Sequence, residues 1–201
     1  ARVCEADAAL SALGVGPERI HRLGFVDQDV VRRVEDLTER ISALIQECRP
    51  EAVITHAYEG GHPDHDAVAM AVHLACRKLK AAGQPAPALI EFAGYHDPDG
   101  SGRMATSTFL PAPVPAVAVR LKEEEREQKS RALACYATQS DIVGRFSVDK
   151  ERFREAPEYK FTAPPHPWRP FYEHFVRGLD GAAWLALARR ALERCGLRGL
   201  H

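Results

Sequence analysis

The 201-residue chain is short of the features that would place it quickly. Its five cysteines, at 4, 48, 76, 135 and 195, are odd in number and widely spaced, with no C-x-x-C pair. That excludes a disulfide framework or a zinc knuckle. It predicts scattered buried thiols in a reducing, cytoplasmic compartment. No apolar run reaches the ~18 residues of a membrane span, and no signal peptide is visible. Charge of one sign is lacking too: Lys+Arg 27 against Asp+Glu 28 leaves a formal net charge of -1. Without a basic excess there is no field to gather nucleic acid or an anionic lipid surface. No G-x-G-x-x-G follows a strand pattern, and Glu59-Gly60-Gly61-His62 is a poor substitute, which argues against dinucleotide binding. Ala1 opens the sequence without an initiator methionine.

What is present is a core. Hydrophobic residues make up 45% of the chain, enough to support a single domain over 1–201 without staples. Helical spacing predicts helices over 2–13, 30–48, 63–82, 122–136 and 181–195. Gly14 stops the first, Pro50 follows the second, and Gly83 and Pro85 end the third. Ile20 to Phe25, Ala52 to Thr55, Leu89 to Tyr95, 104–110 and 114–121 read as strands. The run 52–55 is continuous rather than alternating, as buried parallel strands tend to be. The helix over 122–136 opens on Glu123, Glu124 and Glu125. Its Glu125/Lys129 and Glu127/Arg131 spacings suggest i,i+4 pairs on a solvated face. The stretch 149–170 reads as Pro-rich and irregular. Alternating helix and strand predicts an α/β fold with a largely parallel sheet, whose ligand sites lie beyond the carboxyl ends of the strands.

The turn after strand 52–55 is therefore the first place to look. It reads His56-Ala57-Tyr58-Glu59-Gly60-Gly61-His62-Pro63-Asp64-His65-Asp66 and gathers three of the nine histidines. Paired glycines allow a sharp turn, and Pro63 suits a first helical position. Asp64, His65 and Asp66 then sit in the positive field of a helix N-terminus, which favours carboxylates and keeps an imidazole neutral. A neutral imidazole is a metal ligand. His62 and His65 flank the strand-to-helix break and can approach one small site from two directions. Asp64 between them can hold an imidazole N–H. The alternative is a polar helix cap with no chemistry. His56 reads as structural. His21, His73, His166, His174 and His201 have no partner by spacing and read as surface or satisfied core.

The segment Tyr58 to Asp66 resembles the second signature of the PIG-L/LmbE-like zinc-dependent N-deacetylases. The resemblance extends to Arg2-Val3-Cys4-Glu5, Ala9-Leu10, Leu13-Gly14-Val15, Leu23-Gly24-Phe25 and Asp27. It continues through Lys129, Ala132, Tyr136 and Gln139 to Phe153-Arg154-Glu155-Ala156-Pro157-Glu158-Tyr159. It implies a Rossmann-like fold and a mononuclear zinc that activates water for amide hydrolysis. The implied substrates are N-acetylated amino sugars or their conjugates. It implies His65 as a zinc ligand. His62 would be the histidine that protonates the leaving amine or stabilises the oxyanion, and Asp64 the carboxylate orienting a histidine. It also implies substrate-facing roles for Arg2 and Tyr58.

One departure matters. The family's first signature, A-H-P-D-D-E, carries two further zinc ligands and the general base, and this sequence does not contain it. The resemblance begins after the first strand and its loop, and a sheet without that strand would expose ladder groups. The expectation is that residues upstream of Ala1 complete an enzyme, and that 1–201 alone is inactive. The alternative is a non-catalytic sugar-binding relic of the same fold. The expected partner is a small N-acetylated sugar conjugate; a homo-oligomer stays open.

Overall fold

The computed structural model describes residues 2–196. In chain order the helices and strands are α1 Arg2–Ala12, α2 Val34–Cys48, β1 Ala52–His56, α3 Pro63–Ala81, β2 Ala88–Phe92, β3 Tyr95–His96, β4 Ala105–Thr106, β5 Ala116–Arg120, α4 Glu123–Ala134, α5 Ser140–Val143, β6 Lys150–Glu155 and α6 Gly181–Arg194. The chain divides into two compact units. The smaller takes the residues through Leu23 and Ala118–Arg152; the larger takes Gly24–Val117 and the residues from Phe153 on.

The larger unit is built on a β1-α3-β2 crossover. β1 and β2 are parallel, from Ala52 opposite Ala88 to His56 opposite Phe92. The end of β6 runs antiparallel to β2, with Glu91 opposite Arg154. The α/β class holds, and the described ladder is mixed rather than mostly parallel. The antiparallel strand comes from the stretch whose prolines suggested irregular chain. Its residues, Lys-Glu-Arg-Phe-Arg-Glu, are too charged to read as a buried strand, yet Arg154 is buried against Glu91.

Helix α3 carries much of the core. Ala67, Ala69, Met70, Ala71, Leu74 and Ala75 are all fully buried, and small side chains on nearly every face let α2 and the sheet approach closely. Asp64 and Asp66 lie in its first turn, and Lys78 and Lys80 in its last, each sign matched to the helix dipole. On α2 the stripe Val34, Leu37 and Ile45 is buried. The buried hydroxyls of Thr38 and Ser42 donate to the carbonyls of Val34 and Thr38, so neither is left unsatisfied. Helix α6 starts on the Asp180 cap, whose carboxylate accepts the Ala183 N–H at 2.7 Å. Its Trp184 is 1% exposed and donates Nε1–H to the Pro63 carbonyl. That contact docks α6 on the start of α3.

In the smaller unit α1 lies against α4, and Glu5 accepts both the amide and the hydroxyl of Thr138. β5 and β6 are neighbours there, and every β5 residue is exposed. The solvated face of α4 is as expected, with only Ala132 buried. Its charges pair differently. Glu125 turns back to accept the Lys122 N–H in a capping box. Lys129 reaches Glu151 and the Ser147 carbonyl instead. A backbone amide at a helix start outcompetes an exposed i,i+4 partner. Glu127 and Arg131 do pair, loosely, at 3.9 Å.

Other local expectations shift. Ile20 to Phe25 is not a strand but chain following a short 3-10 turn, and 104–110 contributes only Ala105–Thr106. The run 89–95 breaks after Phe92 and resumes as β3. Of the cysteines, all free, only Cys76 is buried. No helix among the described residues is long and apolar enough to cross a membrane. His201 lies outside the described residues.

His73 sits on α3, 6% exposed, edge-on to the rings of Tyr159 and Phe161. Of the two readings open to it, surface or satisfied core, it is core, but its Nε2 has no hydrogen-bond partner. Burial pushes it down to about 4; Arg77 and Lys80 push the same way and Glu158 opposes. Between the ordinary value near 6.5 and about 4 the unfolded chain binds a proton that folded His73 refuses. Stability should therefore fall as pH drops through this window. In His73→Gln the loss between pH 7 and 4 should shrink by on the order of 2–3 kcal/mol, read from urea midpoints. An unchanged pH slope would contradict the assignment.

Candidate active site

The His turn lies wholly within the larger unit. After β1 the chain runs Ala57 to Gly61, then His62 caps α3. Asp66, 1% exposed, folds the turn back. Its Oδ1 accepts the N–H groups of Glu59 and Gly60, both at 3.2 Å. Burial pushes this carboxyl well up, against the pull of those two amides. Gly60 has φ +70°, and its carbonyl accepts the Phe171 N–H. At Gly61 a Cβ would stand 1.8 Å from the Tyr95 carbonyl oxygen. The glycine is required by close approach, and that approach forms one side of a small pocket. Ala57, Glu59, Gly61, Asp66, Gly94 and Tyr95 line it together with three imidazoles.

Those imidazoles are His56, His62 and His65. His56 and His65 stack face to face, centroids 4.0 Å apart and planes 5° off parallel. His62 is 4.9 Å from His65 and tilted. His56 also leans on Phe92, and Tyr95 meets His65 edge-on. Burial, then the neighbouring His62, lowers His56 to about 4. Burial, then His56 and His62, holds His65 well below its ordinary value. Both rings are neutral near pH 7. His62 accepts the Asp64 N–H on Nδ1 at 3.2 Å, which selects the tautomer with its proton on Nε2.

A zinc bound here would find a neutral imidazole at His65, the right ligand type. It would not find a set. Among the described residues no three His, Cys, Asp or Glu side chains are grouped to hold a metal ion. Stacked His56 and His65 present faces to each other, whereas two ligands on one ion aim ring nitrogens at a common point. The described donors do not complete a zinc centre.

The carboxylates are already engaged. Asp64 accepts the N–H groups of Gln28 at 2.6 Å and Val30 at 3.2 Å. Burial lifts it to about 6 in spite of both bonds. Its backbone N–H, rather than its carboxylate, contacts His62. A carboxylate at a helix start is drawn to unsatisfied amides before it is drawn to an imidazole. Tyr58 is 4% exposed, with its hydroxyl on the Ala163 carbonyl and its ring among Tyr159, Phe161 and Trp184. It is a core residue. Arg2 is exposed, at the start of α1 in the smaller unit.

Spacing along the chain does not reveal the buried acid and base groups on and behind the turn. Glu59, Glu91, His96 and Arg154 are all buried. His96 Nδ1 lies 3.2 Å from Glu59 Oε2, and Arg154 Nε donates to Glu91 at 2.9 Å. The one signal was Arg154 within an otherwise charged, extended stretch; nothing in the sequence marked its partners.

Gly61→Ala should lower stability by about 3 kcal/mol, because the Tyr95 carbonyl that the new methyl meets is backbone. Gly94→Ala should stay within about 0.5 kcal/mol, since nothing lies near its Cβ position. Denaturant midpoints of the two variants check this; equal values would contradict the close approach.

The family model for PIG-L: GlcNAc-PI de-N-acetylase matches residues 1–76. No curated protein matches the sequence. Among solved structures the fold is similar to teicoplanin deacetylase Orf2, described as its zinc-inhibited form. The TM-score is 0.52 at 20% identity, over 76% of this chain and 72% of that one. Over residues 1–76, which include the entire His turn, the sequence is thus similar to the PIG-L family, and the fold is similar to that of a deacetylase.

Proposed function

We propose that the chain belongs to a zinc-dependent N-deacetylase that hydrolyses the acetamide of an amino-sugar conjugate. The observation that carries this reading is the pair His62 and His65 at the start of α3. His62 is held by the Asp64 amide and His65 packs against its ring, in a turn that lies inside the PIG-L match. In this reading His65 is one zinc ligand, and zinc, when bound, supplies the Lewis acid for amide hydrolysis. The other donors and the general base come from outside the donor set described above, so 1–201 alone would bind zinc weakly and release no amine.

The Asp64 amide fixes the His62 ring and leaves its proton on Nε2. Of the two roles open to His62, this favours donating a hydrogen bond to the oxyanion of the tetrahedral intermediate. Asp64 orients His62 through its backbone while its carboxylate ties α3 to Gln28 and Val30. Arg2 enters as a substrate-facing residue through the family resemblance alone.

A second reading, a sugar-binding relic, has one observation in its favour. Glu59, Asp64 and Asp66 all spend carboxylate oxygens on backbone amides. None of the three stands ready as a base.

The test uses the natural full-length protein. His65→Ala should lose bound zinc. His62→Ala should keep zinc and lose turnover by about 10²–10⁴-fold. Metal analysis and steady-state amine release check both. Equal zinc in wild type and His65→Ala would sink the ligand assignment. Zinc loss in His62→Ala would make His62 a ligand instead.

A further inference from the structure

Behind the pocket, one guanidinium ties together four stretches of chain. Arg154, 5% exposed on β6, donates Nε–H to Glu91 on β2 at 2.9 Å. It donates Nη1–H to the Leu110 carbonyl at 3.0 Å and Nη2–H to the Tyr159 hydroxyl at 3.0 Å. Nη2 also lies 3.5 Å from Glu59 Oε1. The Phe109 ring covers it, centroid 4.2 Å from the guanidinium carbon. The same Glu59 oxygen accepts the Leu110 N–H at 2.6 Å. Both backbone polar groups of Leu110 therefore end on buried, oppositely charged side chains.

The chain around Leu110 leads to the pocket wall. Ser107 donates its N–H to the Gly94 carbonyl at 2.9 Å, and β4 pairs with β3, Thr106 opposite Tyr95. Gly94 and Tyr95 line the pocket opposite the His turn, and Glu59 lines it from the turn itself. The Tyr95 carbonyl is the group that would meet a Cβ at Gly61. So wall and turn, already in close approach at Gly61 and Tyr95, are also tied by one buried arrangement: Glu59 on the turn, Leu110 beyond the wall, Arg154 bridging both.

The geometry points to Arg154 as a positioning residue for the pocket. Its five-donor fork holds Glu59 and Leu110 in register, and through them keeps the Gly94–Tyr95 wall against His62 and His65. Lysine, a point charge with no fork, cannot make the same set of bonds. A wall displaced by even ~1 Å would misplace a bound substrate, at a cost of up to about 100-fold in rate. The kinetic part of this inference rests on the proposed hydrolase reading; the clamp itself does not.

The test compares full-length wild type with Arg154→Lys, Glu59→Gln, the double variant, and Ile45→Val. Ile45 belongs to a cluster with Ala75, Cys76 and Leu79, so its variant lowers stability without touching the pocket lining. Two readouts are taken: steady-state release of amine from an N-acetylglucosamine conjugate, and hydrogen exchange at the Leu110 amide. Arg154→Lys should lower kcat about 10–100-fold while Ile45→Val leaves kcat per folded molecule unchanged. The double variant should lose no more than the worse single variant, because both remove the same clamp. Leu110 exchange should quicken at least about tenfold in Arg154→Lys and not in Ile45→Val. A kcat within twofold of wild type, or Leu110 exchange unchanged, would overturn the positioning role, as would additive losses in the double variant. A wild type that released no amine would overturn the hydrolase reading instead, and Leu110 exchange alone would then decide the clamp.

Discussion

Buried carboxylates bonded to backbone amides hold the functional end of this protein together. Asp66 gathers the amides of Glu59 and Gly60, Asp64 those of Gln28 and Val30, and Glu59 that of Leu110. Each satisfies buried N–H groups that would otherwise be orphaned outside the regular helix and strand ladders. His56 and His65 stay neutral in the same desolvated setting. Burial raises Asp64 and lowers His56 and His65 for one physical reason: it disfavours whichever form carries the charge.

That arrangement divides labour among the polar residues. The carboxylates fix backbone, while the imidazoles face the pocket. Zinc chemistry would need donors beyond those described, because His56 stacks on His65 rather than converging with it. In the proposed reading this pocket is therefore half of a reaction centre: a held, oriented His62, a neutral His65, and a wall fixed by Arg154.

The sequence was most legible where a local rule decides the outcome. The 3.6-residue stripe on α2, the Pro63 start of α3 and the Asp180 cap of α6 all follow short-range chemistry. The His turn was found because three histidines and two aspartates crowd a strand-to-helix break. What stayed hidden depended on distant partners. β6 looks like charged coil until Arg154 finds Glu91, 63 residues away. Tyr58 looks like a site residue until Trp184 and Phe161 enclose it. Asp64 looks like a partner for an imidazole until the Gln28 and Val30 amides claim it. No periodicity reports such contacts, because each is made by folding rather than by neighbours in the chain.

The central claim is that this turn serves amide hydrolysis and does not merely bind sugar. The most direct measurement follows acetate and free amine together, using the natural full-length protein with zinc and an N-acetylglucosamine conjugate. The account predicts one acetate for each amine, with release abolished by a chelator and restored by zinc. Saturable binding of the conjugate with neither product formed would contradict it, and would leave the fold as a sugar-binding relic.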